Sequence, residues 1–337
     1  MEKDLNIKYT QLDNQNFEDF FYLLKRRGEK DKNYFQWKYL SQPYKDRHRG
    51  FIAYKDDSPI GCIGIINRQI QNNSNKKQYA TWFADWYVIK ESKGLGIGKT
   101  LIKNVFDLSD KAFGIAGPLP AQKIAKKVGY NNLNGYYNIV IPLNIIKCGV
   151  KRFSGGIHKK LYRILYLSYI HFSKNIFERS KALDIKFEKP DINLLYELSY
   201  NCLNKKNRLF KQDKRYLKWL LEMPKKDNIN FNWWHMNNDE IFAYGLVEKD
   251  IWGLKSINIL DLIIFDKNVG YRSLLNTFKK NNIDIVKYSK FMSNMDYDSY
   301  HKFLVKKLPL FTKGKINSEN VFISNLDREN IWKDLPR

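Results

Sequence analysis

The chain has 337 residues and a formal net charge of +24 at pH 7. Hydrophobic residues make up 43% of it and charged residues 28%, so it can bury a sizeable core, and a largely disordered chain is excluded. The excess of lysine and arginine favours an anionic partner: a nucleic acid, an anionic membrane surface or a polyanionic small molecule.

The cysteines and the apolar segments indicate the cellular compartment and whether the chain is a secreted or membrane protein. Cys62, Cys148 and Cys202 form no CxxC pair, so neither a zinc site nor a disulfide framework is expected, and a reducing, cytoplasmic compartment is predicted. The N-terminus lacks the pattern of a secretory signal. No segment reaches the roughly 18 apolar residues that a membrane-spanning helix needs.

The first part of the chain alternates between strand and helix patterns. Hydrophobic spacing predicts a short strand, then a helical stretch that begins at Phe17, then a hairpin that turns at Asp56-Asp57-Ser58, and then a long strand. A glycine-rich loop, a helix, a buried strand and a last short helix before Gly129 complete the pattern. The predicted strands cover 7–9, 50–54, 60–66, 79–89 and 112–116, and the last two helices cover 99–109 and 122–127.

An internal repeat predicts that this pattern occurs twice. Segment 5–9 resembles 183–187, and segment 84–88 resembles 260–264, in the same order and at a nearly constant offset. A second pair of anchors comprises Asp31, Tyr34, Trp37 and Pro43 in one copy and Asp213, Tyr216, Trp219 and Pro224 in the other. We therefore predict domains at 1–150 and 183–337, with Trp37 and Trp219 as packing residues.

Residues 151–182 separate the two predicted copies. Segment 158–179 is typical of a helix with apolar residues among basic ones. Such a helix could make a peripheral contact with a membrane surface, or it could be a linker helix that packs its apolar stripe between the two copies.

The glycine-rich loop from Lys93 to Thr100 predicts an anion site. Glycines permit tight turns, and a helix N-terminus presents unpaired N–H groups with a partial positive charge. Lys93 and Lys99 add full charges, so the loop suits a pyrophosphate. A Walker loop would need a glycine at Lys93, and a GxGxxG loop would need one at Lys99, so neither motif fits.

This loop and its flanks resemble the GNAT acetyltransferase superfamily, whose signature is Arg or Gln, two spacers, Gly, one spacer, then Gly or Ala. The chain departs from it with lysine at Lys93, which can still face a phosphate as a point charge, and with Lys90 where proline is frequent. A later helix that ends at Gly129-Tyr130 also resembles the family. The residues that carry the resemblance are Val88, Ile89, Lys93, Gly94, Leu95, Gly96, Ile97, Gly98, Lys99 and Thr100.

The resemblance implies an α/β fold of two tandem GNAT-like domains, each a mixed, mostly antiparallel sheet flanked by helices. It also implies acetyl-CoA as co-substrate, without a metal, in a V between two splayed central strands. The backbone of Val88 and Ile89 would bind the pantetheine arm, and the amides from Lys93 to Lys99 would bind the pyrophosphate. The two-copy layout with Trp37 resembles a bacterial double-GNAT subgroup associated with surface-polysaccharide synthesis, which favours a primary amine of a small acceptor such as an amino sugar.

Asp85 is the candidate catalytic base, because direct transfer needs a base that takes a proton from the acceptor ammonium. It lies on the long strand before the loop, where burial would make a carboxylate a better base. Alternatively, a nearby lysine or backbone amides satisfy it. The tyrosine acid of the family would fall at Ala125, which leaves Tyr130, Tyr136 or an unassisted thiolate.

The second copy retains only Gly270 in segment 266–272, so we expect it to wall the acceptor groove rather than bind CoA. Two other functions remain open from the sequence. One is an aminoacyl-tRNA-dependent transferase of the double-GNAT type, and the other is a membrane-surface or protein-binding module that acts through 158–179. A nucleic-acid module is not expected, because no recognised binding motif accompanies the charge.

Overall fold

The structure is a computed structural model, and it describes residues 6–70, 78–109, 111–115, 117–133, 136–144, 183–203, 213–224, 231–238, 241–249, 253–264, 270–291, 305–307 and 310–313. The predicted linker helix at 158–179 lies outside these residues. So does segment 265–269, which precedes Gly270 in the second copy.

The first part of the chain forms the predicted succession of elements. Asp56 and Asp57 have φ angles of +48° and +60°, which suit the tight turn between β2 and β3. Asp31 caps α2 by accepting a hydrogen bond from the Tyr34 amide at 2.9 Å. The elements are β1 (Ile7–Gln11), α1 (Phe17–Arg26), α2 (Lys32–Leu40), β2 (Gly50–Lys55), β3 (Ser58–Ile70), β4 (Gln78–Val88), a 3₁₀ turn (Lys90–Ser92), α3 (Ile97–Leu108), β5 (Ala112–Ile115), α4 (Leu119–Val128), β6 (Asn131–Leu133) and β7 (Tyr136–Pro142).

The second part repeats the order of two helices, a hairpin, a long strand, a helix and a further strand. Asp213 caps its second helix through the Tyr216 amide at 2.8 Å, as Asp31 does in the first part. The elements are α5 (Ile192–Leu203), α6 (Lys214–Leu221), β8 (Phe231–Asn237), β9 (Ile241–Lys249), β10 (Lys255–Ile264), α7 (Gly270–Lys280), β11 (Ile285–Phe291), β12 (Val305–Lys307) and β13 (Leu310–Thr312).

Within the described residues these strands form two mixed sheets. The first has the order β1-β2-β3-β4-β5-β13-β6, and the second has the order β12-β7-β11-β10-β9-β8. The pairs β4–β5 and β10–β11 are parallel, and the other registered pairs are antiparallel. The predicted fold class, two GNAT-like α/β units with mixed and mostly antiparallel sheets, is therefore confirmed.

The two sheets exchange strands reciprocally. Strand β13, from the end of the chain, lies between β5 and β6 in the first sheet. Strand β7, from the first part, lies between β11 and β12 in the second sheet. Each sheet therefore contains a strand from the other part of the chain, and the division into 1–150 and 183–337 stays a prediction.

The main hydrophobic core also joins the two parts, because one cluster of buried side chains includes residues of both. Trp37 of α2 and Trp219 of α6 stack within it with ring centroids 4.5 Å apart and planes 10° from parallel. Each indole N–H donates to the backbone carbonyl oxygen of the other residue, at 2.8 Å from Trp37 and 3.1 Å from Trp219. The prediction that both tryptophans are packing residues is confirmed.

Candidate functional site

Strands β4 and β5 pair only where β5 begins. Thr81 lies opposite Ala112 and Trp82 opposite Phe113, and no later pair between these strands occurs in the described part of the chain. Beyond Trp82, the edge of β4 that faces β5 is therefore open. The divergence creates the V between neighbouring central strands that the sequence led us to expect.

A β-bulge in β4 follows this last pair after Phe83 and Ala84. Gly64 lies opposite Ala84 and Cys62 opposite Tyr87, so two residues of β4, Asp85 and Trp86, face a single residue of β3. Asp85 has a φ of +51°, an unusual value that aspartate tolerates better than most residues. Because a bulge bends its strand and increases the local twist, it helps to turn β4 away from β5. Strand β10 has a register shift at the corresponding place in the repeat.

The loop after β4 leads into a helix N-terminus that no side chain caps. Gly94 and Gly96 have φ angles of +91° and +76°, and a Cβ at either would meet no atom within 4 Å. Backbone conformation, rather than crowding, therefore demands glycine at both positions. The N–H groups of Gly94, Leu95 and Gly96 have no hydrogen-bond partner among the described residues, and the first turn of α3 adds further unpaired N–H groups.

The loop has one buried side chain, whereas most of its other side chains are exposed. Ile97 is buried at 1% exposure and holds the start of α3 in the core. Lys93, Leu95 and Lys99 are exposed, and the two lysines flank the open amides along the chain. Thr100 is half-buried, and its hydroxyl donates to the Gly96 carbonyl at 3.5 Å. This arrangement presents several N–H donors and two cations to one anion.

Gly98 is confined by Trp86, the second residue of the bulge. A Cβ at Gly98 would lie 3.2 Å from the Trp86 ring. The bulge and the first turn of α3 therefore touch directly, so the position of one depends on that of the other.

Val88 and Ile89, the two residues predicted to bind a pantetheine arm, differ in whether their backbone N–H and C=O groups are free to bond a ligand. The N–H of Ile89 donates to the Ile60 carbonyl at 3.0 Å, and the Ile89 carbonyl accepts from the Ser92 N–H at 3.2 Å. Both backbone groups of Ile89 are thus already bonded within the protein. Because successive peptide groups of a strand alternate in direction, those of Val88 turn toward the open side of β4.

The Asp85 side chain lies at the centre of a buried charge network. Its Oδ1 accepts from Arg27 Nη2 at 2.6 Å, and its Oδ2 accepts from Lys38 Nζ at 2.6 Å and from the Tyr39 hydroxyl at 2.5 Å. The side chain has no exposed surface. The role of Asp85 as a base stays a prediction, and this geometry requires an intermediary for any proton that it would take from an acceptor.

Sequence reasoning missed the partners of Asp85. Lys38 carried a signal, because it stands between Trp37 and Tyr39 in a helix with buried aromatic residues on each side, and buried lysines are nearly always paired. Arg27 follows α1 and gave no such signal. Burial is the largest single influence and lowers the pKa of its guanidinium, but the neighbouring anions, Asp85 first and then Glu29, together raise the pKa above its ordinary value.

The end of α1 lies against the residues that lead into the loop. Arg26 Nη2 forms an exposed ion pair with Glu91 at 3.0 Å. Arg27 Nη2, besides its contact with Asp85, bonds Glu29 Oε1 at 3.1 Å. The turn between α1 and α2 is therefore tied both to the bulge of β4 and to the 3₁₀ turn before the loop.

The positions considered for the general acid, which would protonate the leaving thiolate, lie in different surroundings from Asp85. Ala125 is fully buried in α4, and the side chain of Tyr136 lies outside the described residues. Tyr130 is buried, and its ring packs edge-on against Phe83 and Phe106 with centroids 5.3 and 5.1 Å away. Its hydroxyl has no hydrogen-bond partner in the described part of the chain, and burial raises its pKa. Tyr130 thus occupies a closed aromatic environment.

The part of the chain that the structure describes contains neither a candidate metal cluster nor a helix that could span a membrane. None of its His, Cys, Asp and Glu side chains form a group of three or more that could hold a metal ion. None of its helices combines the length and apolarity needed to cross a bilayer.

Comparison with known proteins agrees with this geometry. Residues 10–126 match the model of the acetyltransferase (GNAT) family. No protein with a curated description matches the chain. The fold is that of the GNAT acyltransferases. Residues 10–126 therefore form a GNAT acetyltransferase domain, whereas the place of the chain in the double-GNAT subgroup stays a prediction.

Solved structures share the fold over most of this chain at low sequence identity. A GCN5-related N-acetyltransferase from Anabaena variabilis has 12% identity and a TM-score of 0.60, covering 91% of this chain and 72% of its own. A probable N-acyltransferase from Enterococcus faecalis has 11% identity and a TM-score of 0.59, with the same coverages. Saccharomyces cerevisiae N-myristoyltransferase with bound myristoyl-CoA has 13% identity and a TM-score of 0.54, covering 97% of this chain and 90% of its own.

Proposed function

We propose that the chain transfers an acyl group from acetyl-CoA to a primary amine of a small acceptor. The observation that carries this proposal is the open N-terminus of α3, where the unpartnered N–H groups of Gly94, Leu95 and Gly96 stand between Lys93 and Lys99. Such a terminus binds anions through its N–H groups and its dipole. The two lysines add the charge that a diphosphate requires.

Acetyl-CoA fits this site because the loop leaves space as well as donors. Gly94 and Gly96 are exposed, with no atom near their missing side chains, so a diphosphate can approach the backbone closely. The open edge of β4 at Val88 would then bind the pantetheine arm, and Ile89 would hold the strand in place through its bonds to Ile60 and Ser92. Bound acetyl-CoA supplies the activated thioester, and the chain orients it along β4 toward the bulge.

An amino sugar used in surface-polysaccharide synthesis is the acceptor that we propose. The net charge of +24 suits both an anionic co-substrate and an acceptor that carries a nucleotide or lipid phosphate. The second half of the chain would form one wall of the acceptor groove and would thereby select among such acceptors. The exchanged strand β13, which lies directly beside β5, supports this arrangement.

Calorimetry with acetyl-CoA tests the first step. Gly96→Glu forces a side chain into a left-handed backbone conformation and sets a carboxylate against the diphosphate, so we expect binding at least about tenfold weaker, or about 1.4 kcal/mol. Gly253→Glu is the matched control, because Gly253 is also exposed with positive φ, +70°, but lies in the second half. Equal loss in both variants, or no binding by the wild type, would contradict the proposal.

A further inference from the structure

The Glu29 carboxylate lies near the bulge and takes no part in the proposed binding of acetyl-CoA. Glu29 lies in the turn between α1 and α2, where its N–H donates to the Leu24 carbonyl at 3.1 Å and the Gly28 N–H donates to the Lys25 carbonyl at 2.9 Å. These two bonds close the C-terminal end of α1 and fix the turn. The backbone therefore holds Glu29 in one place before any ligand arrives.

The contacts of Glu29 place it close to the bulge. Arg27 Nη2 bonds Glu29 Oε1 at 3.1 Å and Asp85 Oδ1 at 2.6 Å, so a single guanidinium nitrogen separates Glu29 from Asp85. The neighbouring Arg26 pairs with Glu91 in the 3₁₀ turn that precedes the anion-binding loop. Glu29 is thus linked through Arg27 to the bulge, and the end of α1 just before it contacts the turn that leads into the loop.

Unlike Asp85, Glu29 is open to an incoming molecule. Its side chain is 12% exposed, whereas that of Asp85 has no exposed surface. Its second oxygen, Oε2, has no partner among the described residues and is not enclosed. Gly28 beside it has a φ of +101° and no atom within 4 Å of a built Cβ, so there is room next to the turn.

The charges of the network favour a cation at this free oxygen. Arg27 lies between two carboxylates, so its single positive charge is shared by Asp85 and Glu29, and Lys38 contacts Asp85. The guanidinium therefore only partly neutralises Glu29, and a primary ammonium would form a charge-assisted hydrogen bond with Oε2. A neutral donor would form a hydrogen bond without the attraction of opposite charges, and an anionic group would be repelled.

We infer that Glu29 binds the ammonium group of the acceptor and takes its proton, and this inference rests on the proposed function. The freed amine forms a bond from its nitrogen to the acyl carbon, and the carbon–sulfur bond breaks. The ammonium proton goes to Glu29, and the second proton that the nitrogen loses as the amide forms goes to the departing thiolate, which leaves as the thiol of CoA. Asp85 is then a positioning residue, because it orients Arg27 and through it Glu29.

Steady-state kinetics with acetyl-CoA and glucosamine as the amine probe test this role. Glu29→Gln keeps the shape of the side chain but cannot accept a proton, so kcat/KM for glucosamine should fall about 100-fold, while the Kd for acetyl-CoA stays within twofold. Glu29→Asp should recover part of the rate. Glu18→Gln is the control, because Glu18 lies in α1, the helix before the turn of Glu29, and is an exposed partner of Lys32. Glucosamine turnover within twofold of wild type in Glu29→Gln overturns the inference.

A crystal structure with a bound amine tests the role of Glu29 without a measurement of turnover. Crystals soaked in glucosamine should show its nitrogen within 3.2 Å of a Glu29 carboxylate oxygen, a usual hydrogen-bond distance, and the corresponding density should be absent in Glu29→Gln. An amine bound elsewhere, or none bound, overturns the inference. Failure of acetyl-CoA to bind would instead overturn the proposed function, and the soak would still report on Glu29.

Discussion

Trp37 and Trp219 stack in parallel and each bonds the backbone of the other, so the two halves of the chain meet through an almost symmetric pair. Trp219→Ala should lower the free energy of unfolding by about 3–5 kcal/mol, because it leaves a cavity and an unpaired carbonyl. Trp219→Phe keeps a ring but no N–H and should cost less. Urea unfolding measures both.

The control for this pair is Tyr22→Ala, since Tyr22 is 48% exposed. A Trp219→Ala variant no less stable than Tyr22→Ala would show that the stacked pair contributes little to the joining of the halves.

The reciprocal strand exchange predicts that a change near the C-terminus disturbs the first sheet. Phe311 lies opposite Gly114 of β5 and Asn132 of β6, so Phe311→Pro removes an N–H from a strand with neighbours on both sides. Hydrogen exchange at 112–115 should then accelerate, while exchange at 50–55 stays unchanged. Phe311→Ala, which keeps the N–H, is the control. Equal protection of 112–115 in both variants would argue against the exchange.

Asp85→Asn should reduce both stability and turnover but leave acetyl-CoA affinity nearly intact. Removing this charge leaves Arg27 and Lys38 buried without their shared partner, which costs about 3–5 kcal/mol. Adding Lys38→Met should restore part of the stability, as thermal unfolding would show. Turnover that returns in the stabilised double variant would rule out a catalytic or positioning role for Asp85, whereas turnover that stays lost is expected if Asp85 orients Arg27 and Glu29.

His48 predicts a loss of stability in mild acid. Burial, followed by the nearby Arg47 charge, lowers the pKa of its ring below the ordinary value. The unfolded chain therefore binds the proton more readily than the folded one, so stability falls as pH drops through about 6.5. His48→Gln should show a smaller drop in Tm between pH 8 and pH 5.5 than the wild type. Identical drops would contradict this assignment.

The anion-binding loop could be predicted from sequence because its cause is local. Glycines at Gly94 and Gly96 permit positive φ angles, and a helix start that follows them presents N–H groups whatever the rest of the fold does. The order of elements was predicted for the same reason, since hydrophobic spacing reports on each helix and strand separately.

The strand exchange and the network around Asp85 were not predictable in this way. The sequences of β7 and β13 do not indicate which sheet each strand joins. In both sheets the second strand of the parallel pair, β5 or β11, has one edge free to accept a further strand. Arg27 and Lys38 reach Asp85 from elements far away in the sequence, and only the packing of α1 and α2 on β4 brings them together. The sequence predicted a lysine partner as one alternative without identifying it.

Because residues 310–312 lie between β5 and β6 in the sheet of the first part, that sheet is completed during synthesis only after these residues, nearly 200 positions beyond β5, have left the ribosome. Contacts between such distant segments carry a large loop-closure entropy and slow folding. Until they form, β5 and β6 expose backbone edges that could pair with other chains. We therefore expect nascent and C-terminally shortened forms of this protein to depend on chaperones more than a chain whose halves fold one after the other.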